Sequence, residues 1–321
     1  MLTGILLKIA SAFVFMLMSA SVKLSASTYP IAELVFFRSF FALVVLMVWL
    51  MARSEFPHGI GTRRPLGHLG RALAGSCGMF CGFVSLSLLP LPDATALGFT
   101  TPLIVVVLAA LVLKEHVRLY RWSAVAVGFG GVMLMLSGHI SAAASADFLG
   151  SRTGTGVAVA LAAAVFSGIA TIQTRRLTVS ERTGAIVFYF TLATTFLGAL
   201  GTWAATVWPP NWPGASVMAS QAFVAPPFKD FLALAAIGFF GGIGQILLTE
   251  CYRYADASII ACFDYTAMLW ASLLGLFLFD EVPSPAIING ALIVALAGVF
   301  VIWRERRLGL LRGKERAANT K

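Results

Sequence analysis

Ten long apolar blocks divide the chain and constrain its fold more than any other feature. Each approaches the roughly 20 residues that a helix needs to cross the hydrocarbon core of a bilayer. A spanning segment must satisfy its own backbone hydrogen bonds, and barrel strands would be shorter and would alternate apolar with polar residues. We therefore predict an all-α polytopic membrane protein with ten transmembrane helices. The blocks are Leu2–Ser21, Ile31–Met51, Ala72–Leu89, Ala94–Leu113, Trp122–Leu136, Gly154–Gln173, Ala185–Trp208, Phe231–Cys251, Ser258–Phe279 and Ala286–Trp303.

The composition excludes a soluble fold. Hydrophobic residues make up 59% of the 321 residues, and charged residues make up only 12%, about half the usual soluble share. The mean hydropathy of +0.89 agrees with this. A net charge of +9 could indicate nucleic-acid binding, but the chain has no soluble domain to carry a basic face. We therefore expect the lipid bilayer and a small-molecule substrate as partners, and no nucleic acid.

The basic residues predict the orientation in the membrane. With a cytoplasmic N-terminus, 18 of the 23 Lys and Arg residues fall on cytoplasmic segments, Arg71 among them, and three fall on outer segments. Lys8 and Arg38 lie within spans. Because Lys and Arg concentrate on cytoplasmic loops, we predict that both termini are cytoplasmic and that the protein lies in a bacterial inner membrane.

The two halves of the chain repeat one another. Asp93 opens the fourth block, which leads to Glu115, and Asp256 opens the ninth, which leads to Glu281. Each half has five blocks, an odd number, so the second copy is inserted upside down. Inverted repeats favour alternating access and hence a carrier. We predict a first five-helix repeat at 1–138, a linker at 139–153, a second five-helix repeat at 154–303 and a basic cytoplasmic tail at 304–321.

Three segments carry a resemblance to a known family. They are Glu33-Leu34-Val35-Phe36-Phe37-Arg38, then Asp93-Ala94-Thr95-Ala96 through Pro102 and Glu115, and then Asp256-Ala257-Ser258 through Asp264-Tyr265-Thr266 and Glu281. In these segments the chain resembles the drug/metabolite transporter superfamily, in its ten-span form built from two EamA-type halves. The resemblance implies a secondary transporter of a small polar metabolite. Family members include exporters of amino acids and drugs and importers of riboflavin and S-adenosylmethionine. We favour uptake of riboflavin or a similar cofactor, with export of amino acids or drug-like metabolites as the rival.

Charged residues within the spans are the first site candidates, because each costs roughly 2.5–3.5 kcal/mol to insert. Arg38 lies deep in the second block and could bind an anionic or carbonyl group of a substrate. The alternative is a structural ion pair with Glu33 or with another helix. Asp264 lies in the middle of the ninth block and could bind substrate or exchange a proton, or it could simply partner Arg38. Glu33 is a second candidate for coupling or ion pairing.

Polar and aromatic residues near the midplane complete the predicted substrate site. Three polar residues could line a path, and three rings could stack on a planar substrate, although single aromatic residues in membrane helices often only pack. Pro102 breaks the backbone hydrogen-bond ladder in the fourth block. The predicted residues are Thr101, Gln173, Gln245, Tyr189, Tyr265 and Trp270.

Two rival classes fit the sequence less well than a carrier. A membrane-embedded enzyme would need clustered catalytic or metal-binding groups, whereas His58, His68, His116 and His139 lie in predicted loops without a motif. An oligomeric channel would not need inverted halves. No nucleotide-binding loop of the Gly-x-x-x-x-Gly-Lys type occurs, so ATP does not drive the protein directly. We expect no enzymatic activity, no cofactor and no metal, and we leave a homodimer open.

Two pairs of glycines at a spacing of four predict close contacts between helices. Gly78 and Gly82 form the first pair, and Gly238 and Gly242 form the second. Small residues at this spacing let the backbones of two membrane helices approach each other. We interpret both pairs as packing surfaces.

Overall fold

The computed structural model is helical over most of the residues that it describes. It describes residues 2–112, 119–140, 151–177, 180–207, 223–254 and 266–318. Within these ranges there are eleven α-helices, one short 3-10 helix (His58–Ile60) and no strand. The α-helices are α1 (Leu2–Ser25), α2 (Ile31–Ala52), α3 (Pro65–Leu88), α4 (Leu91–Gly98), α5 (Thr100–Val112), α6 (Leu119–Ile140), α7 (Arg152–Leu177), α8 (Thr183–Val207), α9 (Phe228–Tyr254), α10 (Thr266–Phe279) and α11 (Pro285–Ala318).

The helices have the lengths and the outer surface of a membrane bundle. In the described part of the chain, six are long and apolar enough to cross a bilayer, namely α1, α2, α3, α8 and most of α7 and α9. Large apolar side chains face outward, and Phe196 is 65%, Trp203 61% and Phe277 78% exposed. Water would penalise such a surface, whereas lipid tails would solvate it. The predicted multi-pass helical fold is confirmed, and six of the ten predicted spans meet both criteria in the structure.

The fourth predicted block is two helices instead of one. Helix α4 ends at Gly98, and α5 begins at Thr100. Pro102 explains the break, because a proline has no N–H to donate to the carbonyl oxygen four residues earlier, which is that of Gly98. The N–H of Phe99 donates instead to the carbonyl oxygen of Ala96, at 3.1 Å.

Contacts between helix termini define two ends of the bundle. One end of the bundle carries Arg53, and we call it the basic end. There Nη1 of Arg53 lies 3.1 Å from Oε1 of Glu250, in the last turns of α9. At the opposite end, Nζ of Lys23 lies 2.7 Å from Oε1 of Glu281, which precedes α11. There Nη2 of Arg152 also donates to the carbonyl oxygen of Ser87, at 3.0 Å. Helices α1, α2 and α3 therefore run in alternating directions.

The helices of the two halves pack on each other in reciprocal pairs. Helices α1 to α6 precede residues 141–150, and α7 to α11 follow them. Helix α1 packs on α9 and α3 packs on α7, so the first helix of each half contacts the third helix of the other. Helix α2 packs on α8, and α6 packs on α11. The two largest clusters of buried apolar side chains lie in these interfaces, one of them around Leu34 and Ile237 and the other around Met135 and Ile287.

The two glycine pairs differ in how closely they pack against neighbouring helices. A Cβ atom at Gly238 would lie 2.9 Å from the carbonyl oxygen of Phe37, and one at Gly242 would lie 2.9 Å from Cβ of Val45. The predicted close contact is therefore confirmed for this pair, which faces α2. A Cβ atom at Gly78 would lie 3.0 Å from Oγ of Ser167 on α7. At Gly82 a Cβ atom would meet nothing within 4 Å, so the prediction is wrong for that residue.

Candidate functional site

Arg38 lies in the interior of the bundle, on the face of α2 that packs against α8 and α9. Only 5% of its surface is exposed, and its Nε has no hydrogen-bond partner. The side chain lines a cavity of about 10 Å³ together with Thr191, Gly241 and Gln245, close to the smallest volume that holds one water molecule. A Cβ atom at Gly241 would lie 3.1 Å from Nε of Arg38, so the glycine makes room for the guanidinium group.

Arg71 is a second buried arginine, which we expected from the sequence to lie in a cytoplasmic loop. That placement is wrong because α3 begins at Pro65, where the missing N–H of a proline suits the first helical turn. Arg71 is 9% exposed. Its Nε donates to Oγ1 of Thr174 on α7 at 2.8 Å, and its Nη1 has no hydrogen-bond partner.

The signal for Arg71 was present in the sequence as a helical period. His68 and Arg71 are three residues apart and buried, and Gly75 and Gly78 continue the same face of α3. Three leucines in the first turns of α3 lie instead on its outer face. These residues are Leu66, Leu69 and Leu73, all exposed. A hydropathy window alone hides this pattern, because it averages the two faces.

The ring of Phe190 on α8 contacts both buried arginines. Its centroid lies 4.4 Å from Cζ of Arg71 and 6.0 Å from Cζ of Arg38, distances at which a cation is attracted to the face of a ring. Among the described residues, no carboxylate lies within ion-pair distance of either guanidinium group. The predicted alternative of an Arg38–Glu33 ion pair is not formed. Oε2 of Glu33 accepts the N–H of Val224 at 3.2 Å, and Oε1 is buried without a hydrogen-bond partner. Asp264, the other predicted partner, lies outside the described residues.

The remaining predicted site residues fall in several places. Gln245 lines the cavity of Arg38. The ring of Tyr189 lies 4.8 Å from that of His68, and Gln173 packs on Gly70 of α3, beside the residue that binds Arg71. Trp270 packs on Phe13 at 4.9 Å and has a buried Nε1 without a partner. Thr101 is half-buried on α5, and Tyr265, like Asp264, lies outside the described residues. The structure thus places Arg38 beside Gln245, and it does not place Thr101 or Trp270 at this cavity.

A histidine–carboxylate pair lies at the basic end, where the sequence predicted a histidine in a loop. His68 is buried on α3, and its Nε2 lies 3.5 Å from Oε2 of Glu181. Burial opposes ionisation of Glu181, but the backbone N–H of Arg63 and the side chains of Thr62 and His68 outweigh it and lower the pKa of this carboxyl group. Glu181 thereby connects the segment before α3 to the segment before α8.

An ion pair and a cavity of about 400 Å³ mark the opposite end. Nζ of Lys23 donates to the carbonyl oxygen of Leu89 at 2.7 Å and pairs with Glu281, whose Oε2 accepts the N–H of Leu91 at 2.8 Å. We call this three-part contact the Lys23 latch. It joins α1 to the turn before α4 and to the segment before α11. Lys23, Ser87, Arg152 and Glu281 line the cavity beside it.

These features define a multi-pass helical membrane protein with buried cationic groups at its centre. The EamA-like transporter family matches residues 2–137 and again residues 154–304. The chain belongs to this family, whose members are transporters of small molecules, and the predicted resemblance is confirmed.

Two relatives and one solved structure show what the chain is similar to. It is 28% identical to the pseudopaline exporter CntI of Pseudomonas aeruginosa, with 92% of this chain and 94% of the exporter covered. It is 25% identical to the S-adenosylmethionine uptake transporter of Rickettsia prowazekii, with 86% of this chain and 84% of that transporter covered. A crystal structure with 21% identity superposes with a TM-score of 0.59 over 93% of this chain and 96% of the other, and it supports the fold alone.

Proposed function

We propose that the protein is a secondary transporter of the bacterial inner membrane that moves a small carboxylate-bearing metabolite by alternating access. Arg38 carries the proposal. A guanidinium group inside a membrane bundle is costly unless an anion or a set of hydrogen bonds compensates its charge. Its position on a small cavity, without a carboxylate partner in the described structure, is the arrangement expected of a group that binds an anionic solute.

The reciprocal packing of the two halves supports alternating access. Helix α1 contacts α9 as α3 contacts α7, which is the pattern expected if two five-helix repeats are related by a two-fold axis in the membrane plane. With such an axis, each half can adopt the conformation of the other, so that a central site opens first to one side and then to the other. We place both termini in the cytoplasm, where the charge bias of the sequence puts them.

The names of the relatives refine the choice of solute. S-adenosylmethionine, which the Rickettsia relative takes up, carries an α-carboxylate that Arg38 could bind. Riboflavin, which we favoured from the sequence, has no ionised group at neutral pH and would leave the guanidinium group uncompensated. We therefore propose uptake of a carboxylate-bearing metabolite in preference to riboflavin. Export is the second candidate, because the Pseudomonas relative is an exporter.

Counterflow in proteoliposomes tests this function. Vesicles loaded with unlabelled S-adenosylmethionine, glutamate or riboflavin are diluted into the same labelled solute. We expect accumulation of a carboxylate-bearing solute above that of protein-free vesicles, and at least a tenfold loss with Arg38→Gln, because a hydrogen bond to a charged group contributes about 1.5–3 kcal/mol. Arg63→Gln is the matched control, because this arginine is exposed on a loop. Absence of exchange for every solute, or full exchange by the Arg38 variant, would refute the proposal.

A further inference from the structure

Two like charges share the centre of the bundle. Arg38 and Arg71 lie on different helices, and Phe190 contacts both guanidinium groups. The two ring distances together limit the separation of the guanidinium carbons to about 10 Å, a range over which like charges repel noticeably in a medium of low dielectric constant. Each guanidinium group also keeps a buried nitrogen without a hydrogen-bond partner, Nε in Arg38 and Nη1 in Arg71.

Among the residues that the structure describes, no negative charge compensates these two guanidinium groups. A buried charge without a partner is costly, since removing one partner of a buried ion pair costs several kcal/mol. We therefore expect two neighbouring buried cations to bind an anion. Thr174 supplies only a neutral hydroxyl to Arg71. The attraction of the ring is weaker than an ion pair at this depth. The centre of the bundle therefore has a capacity for two negative charges that the described side chains do not use.

We propose that Arg38 and Arg71 together bind a solute with two carboxylates, one on each guanidinium group, with Phe190 between them. This inference rests on the proposed transport function and narrows its substrate class from carboxylate-bearing metabolites in general to small solutes with two carboxylates. The planar fork of each guanidinium group suits a carboxylate, because it donates two parallel hydrogen bonds.

The surroundings of Phe190 hold its ring in position. A Cβ atom at Gly75 would lie 2.7 Å from Cε2 of Phe190, so the ring packs directly on the backbone of α3 and cannot move further toward it. On the side of α9, Gly241 gives the guanidinium group of Arg38 its space. The cavity at Arg38 has room for about one water molecule. The structure is thus a closed form, and the halves must separate to admit a dianion.

The test compares each dicarboxylate with its own monoamide. The purified full-length protein is titrated with malonate, succinate, glutarate and adipate, and with the monoamide of each, at constant ionic strength. The rise of its thermal unfolding midpoint with ligand concentration gives the affinity. We expect at least one dicarboxylate to bind tenfold or more tightly than its monoamide, since one charge-assisted contact is lost in the amide. Arg71→Gln should remove this difference, and Arg71→Lys should restore part of it. Arg63→Gln should leave it unchanged.

The outcomes separate this inference from the proposed function. Equal affinity of the native protein for each dicarboxylate and its monoamide, or no binding of any dicarboxylate, would overturn the two-carboxylate site, and neither result requires a variant that folds. An Arg71→Gln variant that keeps the native preference would also overturn it. If counterflow of a monocarboxylate still depends on Arg38 in that case, the transport function stands without the second charge. If the native protein exchanges no solute at all, the transport function fails instead.

Discussion

Replacing Lys23 with methionine should open the cavity at the end of the bundle opposite Arg53. The Lys23→Met change keeps most of the length of the side chain but removes its ammonium group. The Lys23 latch then loses the ion pair with Glu281 and the hydrogen bond to Leu89, each 2.7 Å long. If the protein works by alternating access, as we propose, this end opens in one state, and the latch then stabilises the closed form only.

The size of the effect follows from the burial of the two partners. The side chains of Lys23 and Glu281 are 15% and 21% exposed, so the pair is neither fully solvated nor fully buried. Hydrogen bonds to charged groups contribute about 1.5–3 kcal/mol, and exposed ion pairs contribute less than about 1 kcal/mol. We expect a loss of about 1–2 kcal/mol from the closed form, which raises the open fraction roughly five- to thirtyfold.

Cysteine accessibility measures this change directly. A single cysteine at Ser87, which lines the cavity, is introduced into a protein whose four native cysteines are replaced. The protein is placed in nanodiscs, where both sides are accessible, and its reaction with a charged thiol reagent is followed with and without the Lys23→Met change. The open fraction sets the rate, so the rate should rise by the same factor. The double variant Lys23→Glu/Glu281→Lys exchanges the two charges and should restore much of the protection of the cysteine against the reagent. An unchanged rate in the Lys23→Met variant would refute the latch.

Three further changes test packing and ionisation in other parts of the bundle. Gly238→Ala should lower the free energy of unfolding by about 1–3 kcal/mol in thermal denaturation, because its Cβ would overlap Cβ of Phe41. The phenol of Tyr29 donates to Asp230 at 2.6 Å, and this hydrogen bond, with burial and nearby charge, raises the pKa of Tyr29 to about 12. Its ultraviolet titration should therefore fall near pH 12, and its stabilising effect should persist below pH 10 and disappear as the pH rises through 12. Glu181 has a lowered pKa, so the midpoint difference between native protein and Glu181→Gln should shrink as the pH falls below about 4.5.

Each of these predictions has its own control. Gly82→Ala should be neutral or slightly stabilising, because the added methyl group meets nothing and alanine favours a helix. A loss of stability as large as that of the Gly238 variant would contradict the packing argument. The Tyr29 titration is isolated as the difference between native protein and Tyr29→Phe, and Asp230→Asn should move it back toward about pH 10. A midpoint difference for Glu181 that stays constant from about pH 7 to about pH 3 would show that its charge does not stabilise the fold.

Local features of the sequence predicted several details correctly. The break between α4 and α5 follows from Pro102, since a proline in the interior of a continuous helix removes one backbone hydrogen bond. The burial of Arg38 follows from its depth in a long apolar block, because no water is within reach there. The close packing of Gly238 and Gly242 against a neighbouring helix follows from the spacing of small residues, although the identity of that helix, α2, does not.

Other details depended on contacts between residues far apart in the chain. Arg71 and His68 precede the apolar block that hydropathy detects, so their burial shows only when α3 is seen to begin at Pro65 and to pack on α7. The sequence contains 25 phenylalanines, and no pattern in it distinguished Phe190 from the others. Its importance comes from its position between two arginines that are 33 residues apart in the sequence. The hydrogen bond from Val224 to Glu33 likewise joins residues far apart in the chain, and no pattern in the sequence predicted it.

The sequence alone determined that this protein is a multi-pass helical membrane protein, because apolar length is a property that a bilayer imposes on each spanning segment separately. Only the tertiary structure decided which polar groups meet at the centre. Insertion into a bilayer depends on the average polarity of each span. A binding site depends instead on which faces of α2, α3, α8 and α9 contact each other. That choice is made by packing between helices, and it brings Arg38, Arg71 and Phe190 together.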